Sequence, residues 1–247
     1  MEKTVEICCG SYADAVSAVI GGAKRIELNS ALFMGGLTPS LASLCLVKQN
    51  LDCEVIAMVR PRGAGFCYEQ NDIEVMLADS ALLMEKGADG IAFGFLNEDN
   101  SIDIANSKVM IELIHSFGRQ AVFHRAFDCC SDPYQAIQQL IELGADRILT
   151  SGGQANAILG KELIKSLQMR YGTQIEILAG SGINEANAKE LMEYCGIHQI
   201  HSSCKSWQLD STTQTDFVSY AYGTGDFSSC YDVVDEKKVK ALIESIQ

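Results

Sequence analysis

The sequence predicts an α/β fold: a single (β/α)8 TIM barrel over residues 1–247, with a long loop after the eighth strand and a C-terminal helix. Three observations predict it. One phrase recurs as Gly22-Ala23-Lys24-Arg25-Ile26, Gly87-Ala88-Asp89-Gly90-Ile91 and Gly144-Ala145-Asp146-Arg147-Ile148, and more loosely as Gly196-Ile197-His198-Gln199-Ile200. Each copy ends a helix-like segment on a glycine able to take the left-handed C-terminal conformation, and each then opens a short apolar run. Four further apolar runs lie between the copies, and amphipathic stretches separate them all, the alternation of a parallel sheet. No G-x-G-x-x-G follows the first run, which disfavours an open doubly wound sheet.

In chain order, the first strand is expected at 4–9 and a helix at 14–21. The second strand at 25–29 starts on the first repeat, and a less regular helix follows at 40–47. Strands at 54–60 and 90–95 enclose a helix at 73–86. A helix at 107–117 leads to the fifth strand at 120–125, and one at 132–143 leads to the sixth at 147–151. A weaker helical pattern at 157–170 precedes the seventh strand at 176–179. A helix at 185–194 precedes the eighth strand at 199–203. Residues 205–230 read as structureless, and 235–246 as the closing helix.

Composition bounds the function. At 47% hydrophobic, with three prolines and no linker-like stretch, the chain can bury one large core. A net charge of −13 repels phosphate backbones and anionic lipid, so neither nucleic acid nor a membrane surface is an expected partner. The N-terminal stretch lacks the apolar run of a signal peptide, and no apolar stretch approaches the roughly 20 residues of a membrane span. A cytoplasmic protein with ten reduced cysteines is expected, and their spacing matches no zinc pattern.

Charged residues inside barrel strands must face the lumen, because the outer face packs on helices. Period-two alternation then places Glu6 and Cys8 on one face, with Cys9 turned away, and points Arg25, Glu27 and Asn29 inward. Arg60, His124 and His201 join them, with Asp128 in phase with His124 if the fifth strand runs that far. Several of these lie at strand C-terminal ends, where barrel active sites are built. His124 is the candidate general acid/base, with Glu6, Glu27 and Asp128 to orient it or act as a second base. Arg60 and Arg62 are candidates to hold a carboxylate or phosphate. Three small-residue loops offer backbone N–H groups to an anion: Ser151-Gly152, Gly180-Ser181-Gly182 and His201-Ser202. No lysine lies inside a predicted strand, which disfavours a Schiff base.

The chain resembles the CutC family of copper homeostasis proteins. The resemblance rests on Glu6-Ile7-Cys8-Cys9, Gly35-Gly36-Leu37-Thr38-Pro39-Ser40, Arg60-Pro61-Arg62-Gly63 and Phe123-His124-Arg125-Ala126-Phe127-Asp128, with Leu149-Thr150-Ser151-Gly152 and His201-Ser202-Ser203 beyond. It implies a TIM barrel, a cytoplasmic location, homo-oligomers and a role in copper handling. Copper in relatives is attributed to cysteines ending the first two strands. Cys8 matches the first, and Asn29 stands where relatives commonly have the second. An amide is a poor ligand for copper(I). Cys8, Cys9, Cys67, Cys129, Cys130 and Cys204 are all expected near the mouth. Two functions follow as expectations: copper(I) binding through Cys8, or an enzyme or binding barrel for a small anionic ligand. Trp207, the chain's one tryptophan, is a candidate lid or interface residue in the long loop.

Overall fold

The computed structural model describes residues 3–247. Eight parallel strands close into a barrel in sequence order: β1 (Thr4–Cys9), β2 (Arg25–Leu28), β3 (Glu54–Met58), β4 (Gly90–Phe93), β5 (Gln120–Phe123), β6 (Arg147–Thr150), β7 (Glu176–Gly180) and β8 (Gln199–Ser202). β8 pairs with β1 and completes the ring. The helices between them are α1 (Tyr12–Ile20), α2 (Leu41–Asn50), α3 (Gln70–Glu85), α4 (Ile104–Ser116), α5 (Pro133–Leu143), α6 (Lys161–Tyr171) and α7 (Ala188–Cys195). α8 (Glu236–Ser245) closes the outer ring between α7 and α1.

The recurring glycines end helices as the repeat implies: Gly144 and Gly196 cap α5 and α7 at φ of 86° and 70°, where a side chain would be strained. Outward strand residues such as Ile7, Cys9, Ile26, Leu28, Val55 and Ala57 are wholly buried against the helices. This apolar packing is the main source of stability. Inward, the N-terminal layer of the barrel is polar. Arg25 reaches Gln199 at 2.6 Å, Arg147 reaches Glu176 and Gln120 at 2.8 and 2.9 Å, and Gln120 reaches Glu54 at 2.9 Å. This girdle occupies the N-terminal end of the lumen, opposite the end at which the cavity described below opens.

Two expectations are corrected. β5 stops at Phe123, and residues Arg125–Cys129 form a short 3₁₀ turn, so Asp128 does not continue the alternation of His124. His124 caps that turn, its Nδ1 accepting from the Ala126 N–H. The segment read as structureless instead opens with β9 (Lys205–Leu209), which pairs antiparallel with β10 (Cys230–Val234). The ribbon is tied down by Asp14 of α1, whose carboxylate accepts from the Val234 N–H at 2.8 Å. Trp207 stacks on Phe227 at 4.9 Å within the ribbon's own aromatic cluster.

Candidate functional site

A cavity of about 450 Å³ opens at the C-terminal ends of the strands. Its size suits a small molecule. One wall is built by β1, β2 and β8. The parallel register sets Cys8 beside Glu27 and Glu6 beside His201. His201 Nδ1 lies 2.8 Å from Glu6 Oε1, and Glu6 Oε2 lies 2.8 Å from Arg25 Nε. Asn29 Nδ2 donates to Glu27 Oε2 at 2.9 Å and approaches Cys8 Sγ at 3.5 Å. Glu6, Glu27, Asn29 and His201 are all buried.

These contacts set the protonation of the wall. Burial alone would raise the Glu6 carboxyl, but the His201 hydrogen bond and the charges of Arg25, His201 and Arg147 outweigh it and hold it down to about 2. Glu27 lacks a guanidinium partner, so burial raises it, with His201 opposing and Glu6 reinforcing. Burial would lower His201, yet Glu27 and Glu6 on either side raise it. The wall therefore combines a pinned carboxylate, an imidazole that favours its proton and a second carboxyl of raised proton affinity. Burial, with Glu27 next, pushes the Cys8 thiol well above its usual value. Cys8 is accordingly a thiol, not a thiolate.

The opposite wall holds Arg60, Phe66 and His124. Arg60 Nη1 donates to the carbonyls of Met34 and Gly36 at 2.9 and 3.1 Å, and Nη2 to that of Ala64 at 2.5 Å. It staples the loop after β2 to the loop after β3, and three of its five N–H groups are spent in doing so. The Nε–H and one Nη2–H are left over, so most of the fork expected to grip an anion is already occupied by the protein's own carbonyls. His124 is no acid/base near neutrality either: burial, then the charge of Arg60, lowers it to about 3. It is a neutral ring whose Nδ1 is an acceptor, so Nε2 carries the hydrogen.

The remaining expected residues divide. Ser181, Gly182 and Ser202 line the cavity, joined by Ile183, Asn184 and Ser203. Glu6 does not line it and reaches it only through its bond to His201. Arg62 turns outward to Asp72 at 3.0 Å. Gly180, Ser151 and Gly152 do not line it. The loop after β6 is already filled by the protein's own carboxylate: Asp128 accepts from Thr150 Oγ1 at 2.6 Å, the Ser151 N–H at 2.9 Å and the Gly153 N–H at 3.1 Å. Asp128 thus orders a loop and is not a base, and an external anion has no place there. Of the ten cysteines, all free, only Cys8 lines the cavity. Sequence reasoning missed Asp232 of β10 and Lys205, which pair at 3.6 Å on the rim, and Arg125. Lys205 and Asp232 come together only through the ribbon, and nothing local in the sequence signals that.

A sequence model of the CutC family matches residues 3–206. This chain belongs to the CutC family. A CutC family protein of Treponema denticola is 46% identical over 240 residues, covering 97% of this chain and 95% of that protein. One from Vibrio vulnificus is 40% identical over 213 residues, covering 86% and 85%. The crystal structure of a protein named copper homeostasis protein CutC, from Streptococcus agalactiae, superposes with a TM-score of 0.77 at 29% identity, covering 81% of this chain and 98% of that one. No helix among the described residues is long and apolar enough to cross a membrane.

The family name implies copper, and Cys8, Glu27 and His201 are the donors that would meet it, with ligand atoms within 4.8 Å of one another. They do not suit copper(I). One sulfur is present, it favours its proton, and the neighbouring position holds the amide of Asn29. A thiol, a carboxylate and an imidazole match a borderline ion such as zinc better.

Proposed function

We propose that this CutC-family chain takes a small carboxylate or phosphorylated compound into the barrel mouth and moves a proton on it through Glu27 and His201. The observation that carries this reading is His201, fixed by Glu6 beneath a cavity of about 450 Å³ with Glu27 alongside. A buried carboxyl of raised proton affinity beside an imidazole, both lining a cavity, is the pairing that proton transfer needs. The N–H groups of Gly182 and Ile183, on the loop after β7, have no partner among the described residues and suit the ligand's anionic end.

Thermal unfolding with inorganic phosphate, pyruvate and dihydroxyacetone phosphate tests the reading. A ligand that binds the folded state raises the melting temperature. At least one should do so, less in His201→Asn and in Gly182→Ala. No shift with any of them would remove the reading.

A second reading keeps a metal ion at Cys8, Glu27 and His201, because their donor atoms already converge. It predicts that a metal titration of the reduced protein gives one site, lost in Cys8→Ser. Absence of stoichiometric copper(I) binding in competition with a chelator would retire the copper form of it. Family membership supports, as part of the same proposal, a cytoplasmic location and a homo-oligomer. Phe217 and Tyr220, 94% and 82% exposed beyond β9, support self-association, which sedimentation measures.

A further inference from the structure

Three of the buried polar atoms that have no hydrogen-bond partner among the described residues are Arg60 Nε, His124 Nε2 and Tyr68 Oη, and Tyr68 lies close enough to Arg60 to feel its charge. Buried donors without acceptors are costly, and native proteins keep few of them. Two of the three, Arg60 Nε and His124 Nε2, belong to residues that line the cavity. Both donors are fixed before any ligand arrives. The Arg60 guanidinium is locked by the carbonyls of Met34, Gly36 and Ala64. The His124 tautomer is locked by the Ala126 N–H on Nδ1. The Phe66 ring covers the pair, 5.0 Å from the His124 ring and 5.1 Å from the Arg60 guanidinium. Gly94 makes room for His124, since a Cβ there would come within 2.6 Å of Cε1.

Two rigid N–H donors, one on a cation and one on a neutral ring, suit a single oxygen that gains negative charge during a reaction. Glu27 stands on β2, three strands round the ring from β5, which His124 follows directly, so a small molecule in the cavity meets a base on one side and donors on the other.

We propose that the cavity enolises a small carbonyl compound. Glu27 removes a proton from the carbon next to the carbonyl, while Arg60 Nε–H and His124 Nε2–H hold the carbonyl oxygen as it becomes an enolate. The C–H electron pair becomes the new C=C bond, and the carbonyl π pair moves onto oxygen. The Glu27 carboxyl then returns the proton to carbon, giving an isomer or the starting compound with its hydrogen exchanged. No oxidant, reductant or metal enters the balance. Phe66 moves aside to admit the oxygen. The proposal rests on the acid–base reading above.

The test is hydrogen exchange. Dihydroxyacetone phosphate and pyruvate are incubated with the protein in D2O, and the C–H signals next to the carbonyl are followed by proton NMR. Exchange should depend on protein concentration and fall at least 100-fold in Glu27→Gln. His124→Phe should lose at least 10-fold, and His124→Gln, which keeps an N–H donor, should recover part of it. On the wild-type protein, a nitrogen-15 label on histidine should show the His124 Nε2 signal moving when a probe is added, which holds whether or not the variants fold. A probe that raises the melting temperature yet shows no exchange and leaves that signal unmoved overturns the proposal while sparing the acid–base reading. Exchange at the wild-type rate in a folded His124→Phe overturns it too. No melting shift with either probe removes the proposal, and no shift with inorganic phosphate as well removes the acid–base reading too.

Discussion

Replacing Glu6 with glutamine tests the electrostatic account of the site most directly. The Glu6 carboxylate receives His201 Nδ1 at 2.8 Å and Arg25 Nε at 2.8 Å, with Arg147 Nη1 at 3.9 Å, and its side chain is 1% exposed. Its proton affinity falls from the ordinary 4.5 to about 2 on folding. At 1.36 kcal/mol per tenfold, the ionised form contributes about 3 kcal/mol at neutral pH. Leaving Arg25 and His201 buried beside a neutral amide costs a similar amount, about 3–5 kcal/mol. The sign follows from linkage. A carboxyl depressed on folding stabilises fully above its unfolded value, and that contribution is lost as pH falls from about 4.5 through about 2. Urea unfolding of wild type and Glu6→Gln between pH 7 and pH 3 measures both. The variant should be about 3 kcal/mol less stable at pH 7, and the gap should narrow as the wild type loses its advantage in acid. His201 should also release its proton at lower pH in the variant, because the Glu6 carboxylate is one of the two that hold it up. A variant within about 0.5 kcal/mol of wild type at pH 7, or one with an unchanged acid limb, would refute the reasoning.

Other perturbations reach different parts of the mouth. Asp128→Asn removes an oxygen from a carboxylate that binds Thr150, Ser151 and Arg125, and should cost about 2–3 kcal/mol in urea. Amide exchange at residues 150–153 should accelerate, and protection equal to wild type would argue that the loop stands without it. Gly94→Ala would place a Cβ 2.6–2.7 Å from His124 and Ala126, at a cost of about 1–3 kcal/mol, whereas Gly65→Ala meets nothing within 4 Å and should be neutral. Equal melting temperatures for the two would contradict the packing described. Cys8 should alkylate far more slowly at pH 8 than exposed Cys67, because burial and Glu27 keep it protonated. Glu27→Gln should speed it, as site-resolved mass spectrometry would show. A Cys8 as fast as Cys67 would mean a thiolate and would favour the metal reading.

The barrel was legible because its signals are local and repeated. Each Gly-Ala phrase carries a helix end and a strand start together, and each strand's alternation sorts lumen from shell. Glu6, Glu27, Arg60, His124 and His201 were placed inward by that rule, and all five are buried. What such residues bond to is not local. Arg60 has the composition of an anion clamp, yet its fork is taken by carbonyls of two loops that no periodicity describes. The glycine loop after β6 looks like the one after β7 in sequence. They differ because a 3₁₀ turn swings Asp128 into the first. His124 illustrates the same limit: its ordinary proton affinity is near neutrality, and only its burial beside Arg60 makes it a permanent donor. The ribbon was missed because its strands lie some twenty residues apart with a long excursion between them.

That ribbon has a consequence for how such a site can change. The ring of strands is complete at Ser202, and the family match ends at residue 206, just as β9 begins. Asp232 therefore joins the cavity wall from a piece added after the scaffold has closed on itself. Exchange of residues 207–232 between relatives would replace Asp232 and leave every barrel strand, Cys8, Glu27, His124, His201 and α8 in place. It would alter the rim of the cavity alone. The rim and the wall beneath it sit on separable stretches of chain, so one can vary while the other is kept.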